Sequence, residues 1–239
     1  MRTRIACLGD SLTRAQFSVD YLDLLGRRRP PGDMQVARFG ANGDFAYNLL
    51  QRLDAVVTNP PDAITVLIGT NDARASLAGY PLEQAMKRKQ LPDRPSAGWF
   101  QQCLGAVVTR LRAETDATIG LLSLPVLGQQ LHAAAAQASQ DYSRMIAEVA
   151  ATHEVAYLPL HERQIEELRQ ADPPPIPYRE ATPATAVGVL FQHAVLRRSL
   201  DTISRRRGLV LTTDHIHQNS RGAALIAEVI DAGLLTRSA

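Results

Sequence analysis

The sequence predicts an α/β protein in which a mainly parallel sheet lies between two layers of helices. Short apolar runs alternate with segments of helical spacing along most of the 239 residues. Strands that alternate with helices form βαβ units, whose crossovers make the sheet parallel and place helices on both faces. The composition, 45% hydrophobic and 21% charged, is that of an ordinary globular protein. We therefore predict a single three-layer α/β/α domain over residues 1–239. We expect its five strands to lie in flavodoxin-like order.

Five apolar runs are the predicted strands. The clearest is Ala63–Ile68, in which only Thr65 is polar, as expected for a strand that is buried on both faces. The other four predicted strands are Ile5–Leu8, Met34–Phe39, Thr118–Leu124 and Val155–Leu158.

Six segments with helical spacing follow these strands. Asp44 is a candidate N-cap for the second helix and Ser220 for the last, because short polar side chains bind the free N–H groups at a helix start. The predicted helices are Phe17–Leu25, Phe45–Val57, Trp99–Glu114, Ala133–Thr152, His161–Gln170 and Ser220–Leu234.

Two stretches, 80–97 and 172–207, interrupt the alternation of strands and helices. Both are rich in proline or charge, and the second includes a helical pattern over Val187–Ser204. We interpret them as cap-like insertions, since loops at the mouth of a sheet commonly shape access to a site. Apolar residues 189–191 of the second insertion either meet a substrate or pack on the outer helices.

Composition argues against several functional classes. A formal net charge of +2 gives no support for a nucleic-acid partner. The arginine clusters 27–29 and 205–207 are predicted to be solvated, although their charge is compatible with an anionic substrate group. No run approaches the roughly 20 apolar residues of a membrane-spanning helix, and no signal peptide is recognisable. With only Cys7 and Cys103, we expect no disulfide framework and a cytoplasmic location.

The segment Gly9-Asp10-Ser11-Leu12 directly follows the first predicted strand. Ligands of open α/β sheets bind at the carboxyl ends of the strands, so a serine there is well placed to act as a nucleophile. A serine that precedes a helix is equally suited to capping it. The motif by itself leaves both interpretations open.

Three further polar motifs also stand where strands end. Gly43 belongs to 40–44, Asn71 belongs to 69–72, and Asp214 and His217 precede the last helix. Gly43 and Asn71 are each ordinary turn residues when taken alone. A carboxylate three residues before a histidine on one loop can reach its imidazole and fix its tautomer.

In this order the four motifs resemble the GDSL, or SGNH, hydrolase family. The family name gives its key residues, which here match Ser11, Gly43, Asn71 and His217, and the family's Asp-x-x-His pattern matches Asp214 and His217. The resemblance spans nearly the whole chain. It implies hydrolysis of a small-molecule carboxylic ester through an acyl-serine, with no metal or organic cofactor.

The resemblance also implies a role for each residue. Ser11 is the expected nucleophile, His217 its general base, and Asp214 the group that orients the imidazole. The expected oxyanion hole consists of the Asn71 side-chain amide and the backbone N–H groups of Gly43 and Ser11.

Several alternatives remain open from the sequence. His215 is a rival base, and Asp214, His215 and His217 are also possible metal ligands. Acyl transfer or thioester hydrolysis would use the same machinery, and a non-catalytic binding module would keep the pocket without activity. Asp10 and Asp72 are expected to hold loops by accepting backbone N–H groups. Family members act on lipid esters, acetylated sugars and aryl esters, so the motifs do not choose a substrate.

Overall fold

The computed structural model describes residues 2–180, 188, 192 and 197–235. The strands are β1 (Thr3–Gly9), β2 (Met34–Gly40), β3 (Ala63–Leu67), β4 (Thr118–Leu122) and β5 (Ala156–Leu158). All neighbouring pairs are parallel, in the order β2-β1-β3-β4-β5, which is the flavodoxin-like order. The predicted architecture is confirmed, and every strand lies within two residues of its predicted ends.

Helices cover both faces of this sheet. The described helices are α1 (Ser11–Arg14), α2 (Tyr21–Gly26), α3 (Ala46–Leu50), α4 (Asp54–Val57), α5 (Thr70–Ala75), α6 (Leu82–Lys89), α7 (Ala97–Glu114), α8 (Ala134–Thr152), α9 (Leu160–Ala171), α10 (Leu200–Arg206) and α11 (Ser220–Ile230). A π-helical turn, Asp231–Leu235, follows α11. Helices α3, α7 and α8 pack on one face, whereas α2, α9 and α11 pack on the other.

The core is two apolar layers separated by the sheet. In β1, Ala6 and Leu8 join the layer under α7, whereas Ile5 and Cys7 join the layer under α11. This alternation follows from the two-residue period of a strand. All five residues of β3 are buried, which agrees with the prediction of a strand covered on both faces.

The predicted helix Phe45–Val57 is wrong as a single element, because it divides into α3 and α4. Asp44 does not cap it. Its carboxylate instead forms ion pairs with Arg52 and Lys89, and Phe45 occupies the N-cap position of α3. Two charge-assisted hydrogen bonds stabilise a largely buried carboxylate better than one exposed cap contact does.

Other helix starts also differ from the prediction. Asn219 rather than Ser220 caps α11, since its side-chain oxygen accepts hydrogen bonds from the N–H groups of Arg221 and Gly222. Helix α2 begins only at Tyr21, because Asp20 accepts the first free N–H groups and acts as the cap. Of the pattern 187–204, the structure describes the last part as α10, and residues 189–191 lie outside the described residues.

The described part of the chain contains no helix with both the length and the apolar character needed to cross a membrane. Cys7 and Cys103 are both buried and free. Cys7 packs in the core between β1 and α11, as expected for a small apolar side chain.

The close approach of β2 to α1 gives a first prediction. A Cβ atom added to Gly40 would lie 2.3 Å from the backbone N of Arg14 and 2.6 Å from the backbone carbonyl carbon of Thr13. Since backbone atoms cannot rotate away, Gly40→Ala is expected to lower the free energy of unfolding by about 1–3 kcal/mol in urea titrations. Gly26→Ala is the control, because a Cβ atom added to Gly26 would meet no atom within 4 Å and alanine favours the helical conformation of α2. Equal losses in both variants would contradict this account.

Candidate active site

Ser11 lies at the carboxyl end of β1 as the first residue of α1. The N-cap of α1 is Asp10, whose Oδ1 accepts a hydrogen bond of 2.9 Å from the N–H of Leu12. The interpretation of Ser11 as the cap is therefore wrong. The Ser11 hydroxyl does not cap the helix and instead lies against His217, which is 206 residues further along the chain.

A chain of two hydrogen bonds joins Ser11, His217 and Asp214. His217 Nδ1 lies 2.7 Å from Asp214 Oδ2, and His217 Nε2 lies 3.1 Å from Ser11 Oγ. An ionised carboxylate can only accept, so the proton must be on Nδ1 and Nε2 is left as the acceptor for the serine hydroxyl. This tautomer allows the imidazole to take the serine proton.

Asp214 remains ionised although it is buried. Burial by itself would raise its pKa, but the neighbouring His217 and two backbone N–H groups hold the pKa below its ordinary value. These N–H groups belong to Ile216 and His217 and donate to Oδ1 at 3.2 and 2.8 Å. The turn that allows this geometry has its His215 backbone at φ 74°.

Asn71 lies in the first turn of α5 and reaches the loop that contains Gly43. Its Nδ2 donates to the backbone oxygen of Asp44 at 2.9 Å and lies 3.4 Å from Asp10 Oδ2. Gly43 adopts φ +72°, a conformation that favours glycine. The Asn71 side chain therefore contacts the residue that follows Gly43 and the residue that precedes Ser11.

Arg74 is a site residue that sequence reasoning missed. Its Nη1 donates to Asn71 Oδ1 at 2.8 Å. Since a guanidinium group only donates, it must face the amide oxygen, which turns the Asn71 NH₂ group toward Asp44 and Asp10. Arg74 is itself held by an ion pair with Glu180 and by the ring of Tyr80 beneath it. The only signal in the sequence was the spacing of three residues on one helix.

Arg52 is a second missed residue, and it anchors the Gly43 loop. Its guanidinium donates to Asp44 Oδ2 at 2.7 Å, to the Gly9 carbonyl at 2.7 Å and to the Phe39 carbonyl at 2.9 Å. Lys89 from the first insertion donates to the other oxygen of Asp44 at 2.7 Å. The loop is therefore tied to the ends of β1 and β2.

Asp10 and Asp72 hold backbone groups, as predicted. Asp10 binds the N–H of Leu12, and Asp72 Oδ2 accepts from the N–H of Ala46 at 3.2 Å. Both are buried, and burial raises the pKa of Asp10 to about 6 and that of Asp72 to about 7. Neither contacts His217 by a hydrogen bond.

The structure places His217 rather than His215 against Ser11. The His215 ring packs on that of Tyr178, with centroids 5.8 Å apart. In the ranges that the structure describes, no group of three or more His, Cys, Asp or Glu side chains is arranged to hold a metal ion.

Together these features define a class of protein: an α/β domain with a hydrogen-bonded Ser–His–Asp set at the carboxyl edge of a parallel sheet. The model of the GDSL-like lipase/acylhydrolase family matches residues 7–225. The chain belongs to this family, and the resemblance drawn from the four motifs is confirmed.

Solved structures share the fold over almost the whole chain. An acetylxylan esterase from Geobacillus stearothermophilus has a TM-score of 0.67 at 16% identity, covering 96% of this chain and 93% of that chain. The acetyl xylan esterase AlAXEase has a TM-score of 0.68 at 17% identity, covering 96% and 98%. An α/β hydrolase from the metagenome of Lake Arreo, Spain, has a TM-score of 0.65 at 18% identity, covering 96% and 94%. No curated protein sequence matches the chain significantly.

The buried carboxyl of Asp72 predicts a specific pH dependence of stability. Its pKa is raised from 3.8 to about 7. Between these two pH values the folded protein therefore keeps a proton on Asp72 that the unfolded chain has lost. The free energy of unfolding should therefore fall as the pH rises from about 4 to about 7. An asparagine at position 72 would keep an oxygen that accepts from the Ala46 N–H, and it would carry no charge at any pH. Asp72→Asn is expected to flatten this dependence and to be more stable above pH 7, by on the order of 2–4 kcal/mol.

Urea titrations at several pH values test this, with the exposed Asp116→Asn as control. An Asp72→Asn profile parallel to that of the unsubstituted protein would refute the assignment.

Proposed function

We propose that this protein hydrolyses carboxylic esters through an acyl intermediate on Ser11. The observation that carries the proposal is the continuous chain from Asp214 through His217 to Ser11, with contacts of 2.7 and 3.1 Å. Membership of a lipase/acylhydrolase family supports the reaction class.

In the first step, His217 Nε2 takes the proton of Ser11 as Oγ attacks the ester carbonyl carbon. The imidazolium that forms is stabilised by the carboxylate of Asp214, which also holds the ring in the required tautomer. Because Asp214 is buried and ionised, its interaction with the imidazolium is only weakly screened by water.

The carbonyl oxygen becomes an oxyanion in this step. In the proposed hole, one Nδ2 proton of Asn71 stays on the Asp44 carbonyl, and the second exchanges its long contact of 3.4 Å with Asp10 Oδ2 for the oxyanion. The backbone N–H groups of Ser11 and Gly43 are the further donors. A donor of this kind typically contributes about 2.7–4 kcal/mol to the transition state.

Collapse of the tetrahedral intermediate breaks the bond to the alcohol, and His217 returns the proton to the leaving oxygen. A water molecule then attacks the acyl-serine with His217 again as the base, which releases the acid and restores the Ser11 hydroxyl.

The choice of first substrates follows from the structural neighbours. Since two of them are acetylxylan esterases, acetate esters of carbohydrates should be tested together with aryl acetates.

The nucleophile assignment is tested with Ser11→Ala. We expect the substitution to lower kcat for 4-nitrophenyl acetate by at least about 10³-fold and to abolish labelling by a fluorophosphonate. Ser220→Ala is the matched control, because this exposed serine on α11 has its hydroxyl on Asp201 and not on a residue of the triad. Full hydrolysis by the Ser11→Ala protein would disprove the mechanism, and an unlabelled but folded parent protein would favour a binding module.

The oxyanion assignment is tested with a double-mutant cycle between Asn71 and Arg74. Asn71→Ala is expected to lower kcat by about 10²–10³-fold, since it removes a donor to the transition state. Arg74→Met should lower kcat by about 10-fold or more, because the Asn71 amide is then free to rotate. If Arg74 acts as a positioning residue, its substitution has little further effect in the Asn71→Ala background. Fully additive losses would show that Arg74 acts independently of Asn71.

A further inference from the structure

A pocket of about 320 Å³ lies beside the triad, between the second insertion, the end of α10 and the loop of Asp214. We call it the Arg207 pocket. Its polar lining consists of Arg179, Glu180, Arg207, Asp214 and His215, and its other three lining residues are apolar. This volume is at the lower end of the range for small-molecule sites.

The pocket adjoins the candidate active site on two sides. Asp214, which lines it, is two hydrogen bonds from the Ser11 hydroxyl. Glu180, which also lines it, is ion-paired with Arg74, and Arg74 holds the Asn71 amide. A group in this pocket therefore contacts residues that are linked to both the proposed base and the proposed oxyanion donor.

The pocket has an excess of positive charge. Of its two carboxylates, Glu180 is ion-paired with Arg74 and also bound to the Tyr178 hydroxyl. Asp214, which is bound to the neutral His217 imidazole, therefore adds one negative charge against the two positive charges of Arg179 and Arg207. Neither Arg179 nor Arg207 has a carboxylate partner among the residues that the structure describes.

Arg207 is also held in place. Its Nη1 donates to the Thr213 carbonyl at 2.8 Å, one residue before Asp214. The remaining N–H groups of its guanidinium have no acceptor within the described ranges. A preorganised guanidinium with free donors is well suited to bind a carboxylate, often through two parallel hydrogen bonds.

His215 provides an independent sign that a ligand belongs here. The residue is 8% exposed, and its Nδ1 is buried without a hydrogen-bond partner in the described part of the chain. Buried polar atoms are nearly always satisfied, because leaving one unpaired costs free energy. A ligand in the pocket that His215 lines can supply the missing partner.

We propose that the Arg207 pocket binds a carboxylate on the ester substrate, held by Arg207 and Arg179 beside the triad. The inference rests on the proposed function and narrows its substrate to anionic esters. Ile176 and Leu209 contact the carbon skeleton that carries the carboxylate. The three residues of the arginine cluster 205–207 therefore differ in their surroundings. Arg205 and Arg206 are exposed, and of the three only Arg207 lines the pocket.

The test compares two acetate esters that differ in charge, 4-acetoxybenzoate and its neutral methyl ester. We expect a lower KM for the anionic ester. Arg179→Gln should raise that KM by about 10-fold or more and change the KM for the methyl ester less than about twofold. Arg207→Gln should raise the KM for the anionic ester by a larger factor than the KM for the methyl ester. Added salt should reduce the preference, because it screens the charges.

Arg205→Gln is the matched control, since it removes the same charge from α10 outside the pocket. Arg179→Gln guards against misfolding, because Arg179 is exposed, whereas Arg207 supports the loop of Asp214. Equal effects of Arg179→Gln on both esters would overturn the inference.

Two further outcomes have distinct meanings. If Ser11 is not labelled and neither ester is cleaved, the proposed function fails. If both are cleaved without preference, the pocket does not hold the substrate's carboxylate and the inference alone fails.

Discussion

The parallel pairing of β1 with β2 and β3 is the constraint on which the site depends. Parallel strands all end at one edge, so the loops after β1, β2 and β3 must meet there. The register places Gly9 opposite Gly40 on one side and Leu67 on the other. Ser11, Gly43 and Asn71 follow these three positions. Arg52 then secures the edge, because it binds the carbonyl groups at the ends of β1 and β2.

Three buried aspartates show how local contacts determine charge. Asp214 has a pKa below its ordinary value because His217 and two backbone N–H groups favour its carboxylate. Asp10 and Asp72 have fewer such contacts, and burial raises the pKa of each. The same residue type therefore gives a stable anion in one loop and carboxyls that titrate near neutral pH in two others. This difference separates Asp214, whose carboxylate binds the His217 imidazole, from the two aspartates that accept backbone N–H groups.

The second insertion is joined to the site rather than merely covering it. Glu180 pairs with Arg74, which orients Asn71, and its neighbour Arg179 lines the Arg207 pocket. Tyr178 contacts both Glu180 and the His215 ring. The residues proposed to recognise substrate and Arg74, which holds the proposed oxyanion donor Asn71, thus belong to one connected set of contacts.

The sequence by itself did not predict the short helices α1, α5 and α6, and it joined α3 and α4 into one. It determined the strands, the longer helices and the edge of the sheet at which Ser11, Asn71 and His217 lie. It did so because strand and helix periods are local patterns, and parallel topology follows from their alternation. Only the tertiary structure decided that Asp44 pairs with Arg52 and Lys89 instead of capping a helix, and that Arg74 meets Glu180, 106 residues away. Contacts between residues so far apart depend on how the layers pack, which no local pattern of residues records.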